Sequence, residues 1–549
     1  MARLDRLGPA KEVAQVGAVI GGAFSYELLH AVYPIAEENL QSALRNVADA
    51  ELIYVHGIPP DATYQFKHAL IRDTAYEALL KSRRRELHQR IAHKLEERFP
   101  DIAMSAPELL AHHCTEAGLI AQAVPYWRRA GRRAIERTAN VEAIVQLSKG
   151  LELVRTLPAT SERLMEEVKL RIALLTPLIA TKGYTAPEVE KACNRALELC
   201  QQLGEAPQLF TVLGGLNSIY YNRGELEISL ELARRMLRSA ESRRNPVLLL
   251  WGHYALGFTL QSQGAFKAAR GHLEQSIAYY DARKGGTYGY VQDPGPTALA
   301  LLSHVVHSLG YSDQALEKMQ QAVAMARNLS HPFTLAWVLK SAGELNWRRG
   351  EMLAAQGLWD ETFTLCTQQG FTPLLQSASL LLGFALVEQG RGEEGIAKVH
   401  NALYSMTDTL ILEDKLRGLR FLALAQGKVG QADQGLAKID EALALAKRTK
   451  ESGYESDLHL VKGQLLLMKD PRARRKAQQC FSTAIGIARD QRAKSDELAA
   501  VIHLARLLGS NGRREKARAM LSEIYNWFTE GFDTADLKDA KALLDGLSA

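Results

Sequence analysis

Several features that mark common protein classes are scarce or missing in this 549-residue chain. No apolar run approaches the ~20 residues that a membrane-spanning helix needs, so the sequence predicts no membrane contact. Residues Met1–Arg6 mix charges and precede no signal-peptide apolar stretch, which predicts a cytoplasmic protein. Cysteine is also scarce, with five in all, and only Cys193 and Cys200 lie near each other. We therefore expect reduced, mostly buried thiols and no cysteine metal site.

Motifs for nucleotide binding and catalysis are missing as well. The phosphate-cradling pattern G-x-x-x-x-G-K-[ST] occurs nowhere, and no paired aspartates stand in a strand context that would hold the two metals of a cyclase. The adjacent pair His112 and His113 should point apart on a helix, and His304 with His307 lacks further ligands at metal spacing. The sequence thus predicts no catalytic residue, no metal and no cofactor.

Charge of one sign is not in large excess, because the formal net charge is only +5. Basic residues nevertheless concentrate in two segments, 81–90 and 128–137. We expect them to form the solvated faces of amphipathic helices. The alternative is an electrostatic footprint for nucleic acid or for an acidic partner domain.

Glycine, in contrast, recurs along the chain at a nearly fixed interval. The positions are Gly224, Gly264, Gly310, Gly350, Gly390, Gly430 and Gly512. The step is 40 residues from Gly224 to Gly264 and at each step from Gly310 to Gly430. Asp470 and Pro471 occupy the place where the next glycine is due. A period of this length indicates a stacked array of helical repeats, with each glycine at the corner between two helices.

Small residues flank these corners at constant distances. Seven positions upstream stand Asn217, Gly257, Ser303, Gly343, Gly383, Ala423 and Ala505, and five positions downstream stand Ser229, Ala269, Ala315, Ala355, Gly395, Gly435 and Ala517. Antiparallel helices need small side chains where they cross, so that the backbones can approach. The pattern resembles the tetratricopeptide repeat, whose unit has 34 residues. We predict an all-α fold built as a tetratricopeptide-like superhelix of about 40-residue helical hairpins.

The N-terminal part has a different pattern. Residues 1–45 show helical apolar spacing, and residues 51–68 read as strand, turn and strand. Helices followed by a small β-hairpin predict a winged-helix domain. We divide the chain into a winged-helix-like domain with its following helix at 1–98, first helical hairpins at 99–160, a solenoid at 161–525 and a C-terminal capping helix at 526–549.

Several segments resemble a known group of bacterial proteins. Arg3–Leu7, Ala18–Gly21, Phe24–Ser25, Tyr64–Asp73 and Glu108–His113 resemble the region after the nucleotide-binding core in signal-transduction ATPases with numerous domains, or STAND ATPases. Tyr290–Gly295 and Trp527–Thr534 resemble the repeat region of proteins that join a class III adenylate or guanylate cyclase, an AAA-type ATPase and a tetratricopeptide array. This chain lacks the cyclase and P-loop parts. The resemblance therefore implies the non-catalytic C-terminal region of such a protein, a split gene product, or a paralogue without the catalytic half.

Two residues at the end of the hairpin gain a role from that resemblance. In related switch ATPases, a histidine near this place touches the bound diphosphate. His68 with Arg72 would then sense a nucleotide held by a separate ATPase module. The alternative is a histidine packed at the junction of hairpin and helix.

The inner face of the array is predicted from the corners. Residues ten, six and three before each corner should point inward, because the first helix of a tetratricopeptide unit lines the concave surface. The candidates for a peptide-binding or helix-binding groove are Tyr254, Phe258, Gln261, His304, His307, Lys340, Glu344, Trp347 and Phe384. The alternative is that some of them only pack against the next repeat.

One insertion breaks the period. Six extra residues fall between Gly264 and Gly310, near a glycine- and tyrosine-rich stretch. We predict a contact loop there. Its candidate residues are Tyr288, Tyr290, Gln292 and Asp293.

Together these patterns predict a protein-interaction and sensor region that controls a STAND-type ATPase or a nucleotidyl cyclase and is not itself an enzyme. The expected partner is a protein or peptide in the groove. The rival hypothesis is a DNA-binding transcriptional regulator that uses the winged helix and the basic segments.

Overall fold

The computed structural model describes residue 4 and residues 6–204, 208–280, 291–404 and 412–548. The packing divides the chain into two compact units, Met1–Leu174 and Leu175–Ala549. Each unit is described by itself below.

Helices and a small sheet make up the first unit. Its elements, in chain order, are α1 (Ala10–Ile20), β1 (Ala23–Ser25), α2 (Tyr26–Val32), α3 (Glu37–Asp49), β2 (Ile53–His56), β3 (Thr63–Phe66), α4 (Ala69–Glu77), α5 (Lys81–Arg98), α6 (Pro100–Ser105), α7 (Pro107–Glu116), α8 (Ile120–Glu136), α9 (Asn140–Val154) and the first part of α10 (Ser161–Lys182).

The sheet has the antiparallel order β1–β3–β2. Phe24 lies opposite Tyr64 in the register, and their rings stack with centroids 5.6 Å apart. The prediction of helix throughout residues 1–45 was wrong at Ala23–Ser25, so the hairpin gains a third strand. The glycines at 21 and 22 end α1, and the burial of Phe24 against β3 favours an extended backbone there.

The single helix expected to follow the hairpin within residues 1–98 is interrupted. It forms α4 and α5, with a break at residues 78–80. Leu80 adopts an extended conformation before α5 begins, so the basic segment 81–90 starts a new helix.

The second unit is an array of helices. It contains the rest of α10, then α11 (Pro187–Gln202), α12 (Leu209–Arg223), α13 (Leu226–Arg243), α14 (Pro246–Ser262), α15 (Phe266–Ala278), α16 (Pro294–Ser308), α17 (Ser312–Asn328), α18 (Pro332–Arg349), α19 (Met352–Gln369), α20 (Thr372–Glu388), α21 (Gly392–Tyr404), α22 (Leu412–Lys428), α23 (Ala432–Thr449), α24 (Glu455–Lys469), α25 (Arg474–Gln491), α26 (Lys494–Gly509), α27 (Arg514–Tyr525) and α28 (Ala535–Ser548). Consecutive helices pack on one another, which confirms the predicted helical hairpins.

The predicted small residues lie where paired helices cross. A Cβ added at Gly257 would come within 2.6 Å of Leu273, and one added at Gly383 within 2.9 Å of Val399. At the first crossing, the side-chain amide of Asn217 donates to the backbone oxygen of Ser229 at 2.8 Å. Close backbone approach therefore depends on these positions, as the sequence pattern predicted.

The seven corner glycines all have positive φ, between 70° and 101°. The predicted corners thus adopt the left-handed region, where a Cβ is disfavoured, and this explains why glycine recurs there. Asp470, which takes the place of a glycine, instead ends α24 with φ −145° and accepts a hydrogen bond from the backbone N–H of Arg472 at 2.9 Å.

The C-terminal helix starts later than predicted. Residues 526–534 form a loop, and α28 begins at Ala535. The loop has a packing role of its own, which is described with the site below.

Candidate functional site

The array of the second unit folds back on itself, so that helices far apart in sequence face one another. We call α14, α16 and α18 the first tier, and α22, α24, α26 and α28 the second tier. The backbone N–H groups of Ser452 and Gly453 both donate to the carbonyl of Ser262, at 3.0 and 2.9 Å. The Ser495 hydroxyl donates to the carbonyl of His307 at 2.6 Å. These bonds fix the two tiers against each other.

Several corner glycines lie at this contact between tiers. A Cβ added at Gly264 would come within 2.5 Å of Gln491, and one added at Gly350 would overlap Ala535. Added at Gly390 or Gly430, it would meet nothing within 4 Å. The corners of the first tier thus have two reasons to be glycine, backbone conformation and close approach.

The loop before α28 clasps the start of α17 and the end of α18. Both oxygens of Glu530 are used: one accepts from the backbone N–H groups of Asp313 and Gln314 at 2.9 and 3.1 Å, and the other accepts from the Gln314 side chain. The backbone N–H of Gly531 donates back to Asp313 at 3.0 Å. Asp533 pairs with the guanidinium of Arg349 at 2.9 Å. The first backbone N–H groups of a helix have no partner within the helix, and Glu530 accepts two of them at the start of α17.

Between the tiers lies a cavity of about 330 Å³. Its wall is unusually rich in charge for an interior space. Three guanidinium groups and six carboxyl groups line it: Arg348, Arg417 and Arg420, with Glu344, Glu413, Glu451, Asp457, Asp496 and Asp536. Volumes of this size suit a small molecule and are at the lower end for ligand pockets.

Arg417 organises one end of this cavity. Its guanidinium contacts Glu344 and Asp414 at 2.8 Å and Glu413 at 2.6 Å. It also donates to the Tyr454 hydroxyl at 2.9 Å. Behind this group, buried Lys340 lies 3.6 Å from Asp414. Burial disfavours the charged form of Glu413, but Arg417 and Lys340 outweigh it and lower the pKa of that carboxyl.

At the opposite end, one ion pair joins the tiers and a second lies within the second tier. Arg348 of α18 contacts Asp496 of α26 at 2.8 Å. Arg420 of α22 donates to Asp457 of α24 at 2.9 Å. Asp536 of α28 lines the cavity beside them, and none of the described residues forms an ion pair with it. Burial, together with nearby aspartates, raises its pKa to about 6.

Aromatic rings form a further wall. The rings of Phe384 and Phe421 stack at 4.0 Å, and Trp347 packs edge-on against Phe421 at 5.2 Å. The guanidinium of Arg420 lies 5.0 Å from the centre of the Trp347 ring. This stacking keeps Arg420 in place while leaving its edge for hydrogen bonds.

The structure separates the predicted groove residues into two groups. Five line the cavity: Gln261, His304, His307, Glu344 and Trp347. The other four, Tyr254, Phe258, Lys340 and Phe384, do not line it. Tyr254, Lys340 and Phe384 are buried under neighbouring helices, and Phe258 stacks on Tyr221 with centroids 3.9 Å apart. Burial lowers the pKa of His304 to about 3, so this side chain is neutral at pH 7.

Other cavity residues were not found from the sequence. The same counting rule, applied to the corner at Gly430, gives Arg420 at ten positions upstream, so this residue was within reach. Asp496 and Asp536 could not be found by this rule, because the repeat spacing is irregular after Asp470 and because α28 starts later than predicted.

The predicted insertion loop is only partly described. Tyr288 and Tyr290 lie outside the described residues. Gln292 is buried, accepts from the hydroxyl of Tyr184 at 2.7 Å and donates to that of Tyr254 at 3.1 Å. Asp293 caps α16 through the backbone N–H of Gly295 at 2.9 Å. These two residues thus pack and cap, and Gln292 does not present its side chain to a partner.

In the first unit, His68 is exposed at the start of α4. Arg72, one turn later, pairs with its neighbour Asp73 at 2.6 Å. The backbone N–H of Arg72 donates to the carbonyl of His68 at 3.4 Å, and among the described residues no side-chain contact joins the two.

The histidines of α7 differ from expectation. His112 and His113 were predicted to point apart, but both rings contact His88, with centroids 5.6 and 5.1 Å away. The two Nδ1 atoms of His88 and His113 lie 2.8 Å apart. The cause is that α5 packs on α7 at this point. Within the described ranges, no group of three or more histidine, cysteine or acidic side chains is arranged to hold a metal.

Part of the basic charge of the first unit is paired. Arg83 contacts Glu86 at 2.8 Å and Glu12 at 3.3 Å, and Glu86 also pairs with Arg90. In α8, Arg128 pairs with Glu166 at 3.1 Å. Across the parts of the chain that the structure describes, no helix is long and apolar enough to cross a membrane.

Comparisons with known proteins support the fold. No protein-family profile matches the chain. An uncharacterized protein from Rhizobium meliloti (strain 1021) is 24% identical over 473 residues, which cover 83% of this chain and 45% of that relative. The chain thus spans less than half the length of the relative it matches.

Among solved structures, a Rap protein complexed with Competence and Sporulation Factor is similar, with a TM-score of 0.51 and 11% identity. The match covers 67% of this chain and 98% of the Rap chain. A STAND protein with a tetratricopeptide repeat sensor from Pyrococcus horikoshii matches with a TM-score of 0.35 and 12% identity, over 89% of this chain and 65% of that one. The Rap likeness shows a tetratricopeptide-like helical repeat fold, and at this identity it shows the fold alone.

Proposed function

We propose that this chain is a non-catalytic sensor and protein-interaction region that controls a nucleotide-driven signalling module, either a STAND-type ATPase or a nucleotidyl cyclase. The observation that carries the proposal is the charged cavity between the two tiers. A ligand in that cavity contacts helices of both tiers, so its binding energy favours the closed arrangement over an opened one. A sensor needs this dependence of conformation on ligand.

The first unit supports the connection to such a module. Its element order, α1–β1–α2–α3–β2–β3, is that of a winged-helix domain, and we assign it as one. In this proposal His68 and Arg72 face the nucleotide of a separate ATPase module. The exposure of His68 leaves it free for that contact.

The names of similar proteins agree with a sensor role. The Rap protein was solved in complex with Competence and Sporulation Factor, and the STAND protein carries a tetratricopeptide repeat sensor. A protein or peptide is therefore the macromolecular partner that we propose for this chain, and the cytoplasm is the compartment.

The proposal is tested by reconstitution with the ATPase or cyclase module encoded nearest to this chain's gene. We expect the purified chain to bind that module and to change its rate of ATP turnover or cyclic nucleotide formation. A His68→Ala variant should bind differently from wild type with ADP but not with ATP. Absence of binding and of any rate change with every neighbouring module would refute the proposal.

A DNA-binding role finds less support, because the arginines at 83, 90 and 128 already pair with carboxylates. Retention on duplex DNA at low salt, falling steeply as salt rises, would revive it.

A further inference from the structure

The charge in the cavity between the tiers is not balanced by the protein. Four cationic side chains lie in or beside the cavity and pair with its carboxyl groups: Lys340, Arg348, Arg417 and Arg420. Seven carboxyl groups face them, Glu344, Glu413, Asp414, Glu451, Asp457, Asp496 and Asp536. Buried carboxylates without a counter-charge are costly, so such a site either retains protons or binds a cation.

Two carboxyl groups account for most of the excess. Glu451 is 2% exposed and accepts the backbone N–H of Gly453 at 3.1 Å, but none of the described cations pairs with it. Asp536 likewise lacks an ion pair among the described residues and lies close enough to Asp457 and Asp496 to feel their charge. Asp536 therefore makes the end of the cavity near α28 attractive to a positive group, and Glu451 adds negative charge near Glu413.

A donor without a partner lies at the same end. Arg420 is 8% exposed and lines the cavity. Its Nη2 donates to Asp457, whereas its Nη1 has no hydrogen-bond partner among the described residues. Two further lining residues each have an unpartnered buried atom, Nε2 of His304 and Oε1 of Gln261. Buried polar atoms are rarely left unsatisfied, so an occupant with acceptors is expected beside Arg420.

We propose that the cavity binds a small zwitterion, a free amino acid or dipeptide, with its carboxylate on Arg420 and its ammonium group on Asp536. The volume of about 330 Å³ fits a molecule of this size and excludes a helix. Trp347 and Phe421 offer an apolar wall for the side chain of the ligand. Arg420 and Asp536 belong to α22 and α28 of the second tier, whereas Trp347 belongs to α18 of the first tier, so such a ligand contacts both tiers.

This inference rests on the proposed sensor function only in giving the ligand a signalling role, because binding itself is measured on the isolated full-length chain. Thermal unfolding and calorimetric titration would be run with alanine, glutamate, lysine and alanyl-alanine as zwitterions. Putrescine and ethylamine supply an ammonium group without a carboxylate, and propionate and glutarate supply the reverse. We expect at least one zwitterion to bind with a stoichiometry of one and the single-charge compounds to bind at least about tenfold more weakly.

Variants locate the site. Asp536→Asn keeps the shape and removes the charge, and Arg420→Lys keeps the charge but removes the forked donor. Both should weaken zwitterion binding about tenfold or more, which corresponds to about 1.4 kcal/mol. The matched controls are Asp545→Asn, an exposed residue further along α28, and Lys428→Gln on α22, whose side chain forms an ion pair with Glu388 at the surface. The controls should bind within about twofold of wild type.

Three results would overturn the inference. They are the absence of binding by every zwitterion to wild type, equal binding of a single-charge compound, and wild-type affinity in both site variants. Since the wild-type comparisons need no variant, a folding defect in Asp536→Asn or Arg420→Lys leaves the test intact. If ligand binding fails while the chain still regulates its ATPase or cyclase module, only this inference falls and the proposed function stands.

Discussion

Arg348 and Asp496 form an ion pair at 2.8 Å although 148 positions separate them in the chain. Their side chains are 28% and 14% exposed, so the pair lies where the tiers meet and is partly shielded from water. An ion pair of this burial is worth more than a surface pair, because removing one partner leaves a poorly hydrated charge. The contact is therefore a suitable probe of tier closure.

We expect Arg348→Gln to lower the free energy of unfolding by about 1–3 kcal/mol, because it leaves the Asp496 carboxylate without its cation; the loss is less than for a fully buried pair because both side chains retain some solvent. Asp496→Asn should cost less, because burial raises the pKa of that carboxyl and already disfavours its charge, and the double variant should cost less than the sum. Urea unfolding monitored by tryptophan fluorescence provides the values. The exposed pair of Arg506 and Asp539 serves as control and should contribute under about 1 kcal/mol. Additive effects at Arg348 and Asp496 would show that the pair does not couple the tiers.

Two corner glycines separate backbone strain from close approach. Gly350 has φ 91° and a Cβ there would overlap Ala535, whereas Gly390 has φ 84° and open space around it. Gly390→Ala should cost only the left-handed strain, about 1–2 kcal/mol. Gly350→Ala should add an overpacking cost, for a total of about 2–5 kcal/mol. Equal losses in denaturant unfolding would mean that α28 moves away without cost and that the clasp is weak.

These two glycines also show how far the sequence leads. The corner was predictable at both, because a fixed spacing and the need for positive φ are local properties. The difference between them was not predictable, because it depends on Ala535, which is 185 positions after Gly350 and belongs to no periodic pattern. Arg420 could have been found by extending the inward-facing rule one corner further. Asp536 could not, since only the fold-back of the array brings it to the cavity.

The strand at Ala23–Ser25 is a smaller example of the same limit. Three residues carry too little alternation to distinguish a strand from the end of a helix. The strand exists because Phe24 packs against Tyr64 in β3, a contact made across the sheet.

The carboxyl of Asp536 gives a pH-dependent prediction. Its pKa in the folded protein is raised to about 6 from an ordinary value of 3.8, because burial and nearby aspartates disfavour the charge. The folded state then holds a proton that the unfolded state has lost, so this contribution to stability is present below pH 3.8 and is lost as pH rises through 6. Without ligand, Asp536→Asn should therefore raise the unfolding free energy at pH 7.5 by about 1–3 kcal/mol and change little at pH 4.

Thermal and urea unfolding from pH 4 to pH 8 would measure this difference. Asp545→Asn, further along α28 and exposed, is the matched control and should show a smaller change. With a zwitterion bound, wild type should instead be more stable than Asp536→Asn at pH 7.5, since the ammonium group of the ligand stabilises the ionised carboxyl of wild type. Destabilisation by Asp536→Asn at pH 7.5 without ligand would show that the carboxylate already has a cationic partner.

The clasp formed by Glu530 predicts a local change in dynamics. Because this carboxylate accepts the backbone N–H groups of Asp313 and Gln314, Glu530→Ala leaves two donors at the start of α17 without a partner. The expected loss is about 1 kcal/mol, as for a helix cap, and it should act locally. Hydrogen exchange should accelerate at those two amides and across the loop 526–534, because partial opening of the clasp exposes both. Glu317→Ala on the outer face of α17, where the carboxylate only accepts from Gln321, should leave exchange at Asp313 and Gln314 unchanged. Unchanged exchange in Glu530→Ala would mean that Arg349, Asp533 and the backbone of Gly531 hold the clasp closed without the cap.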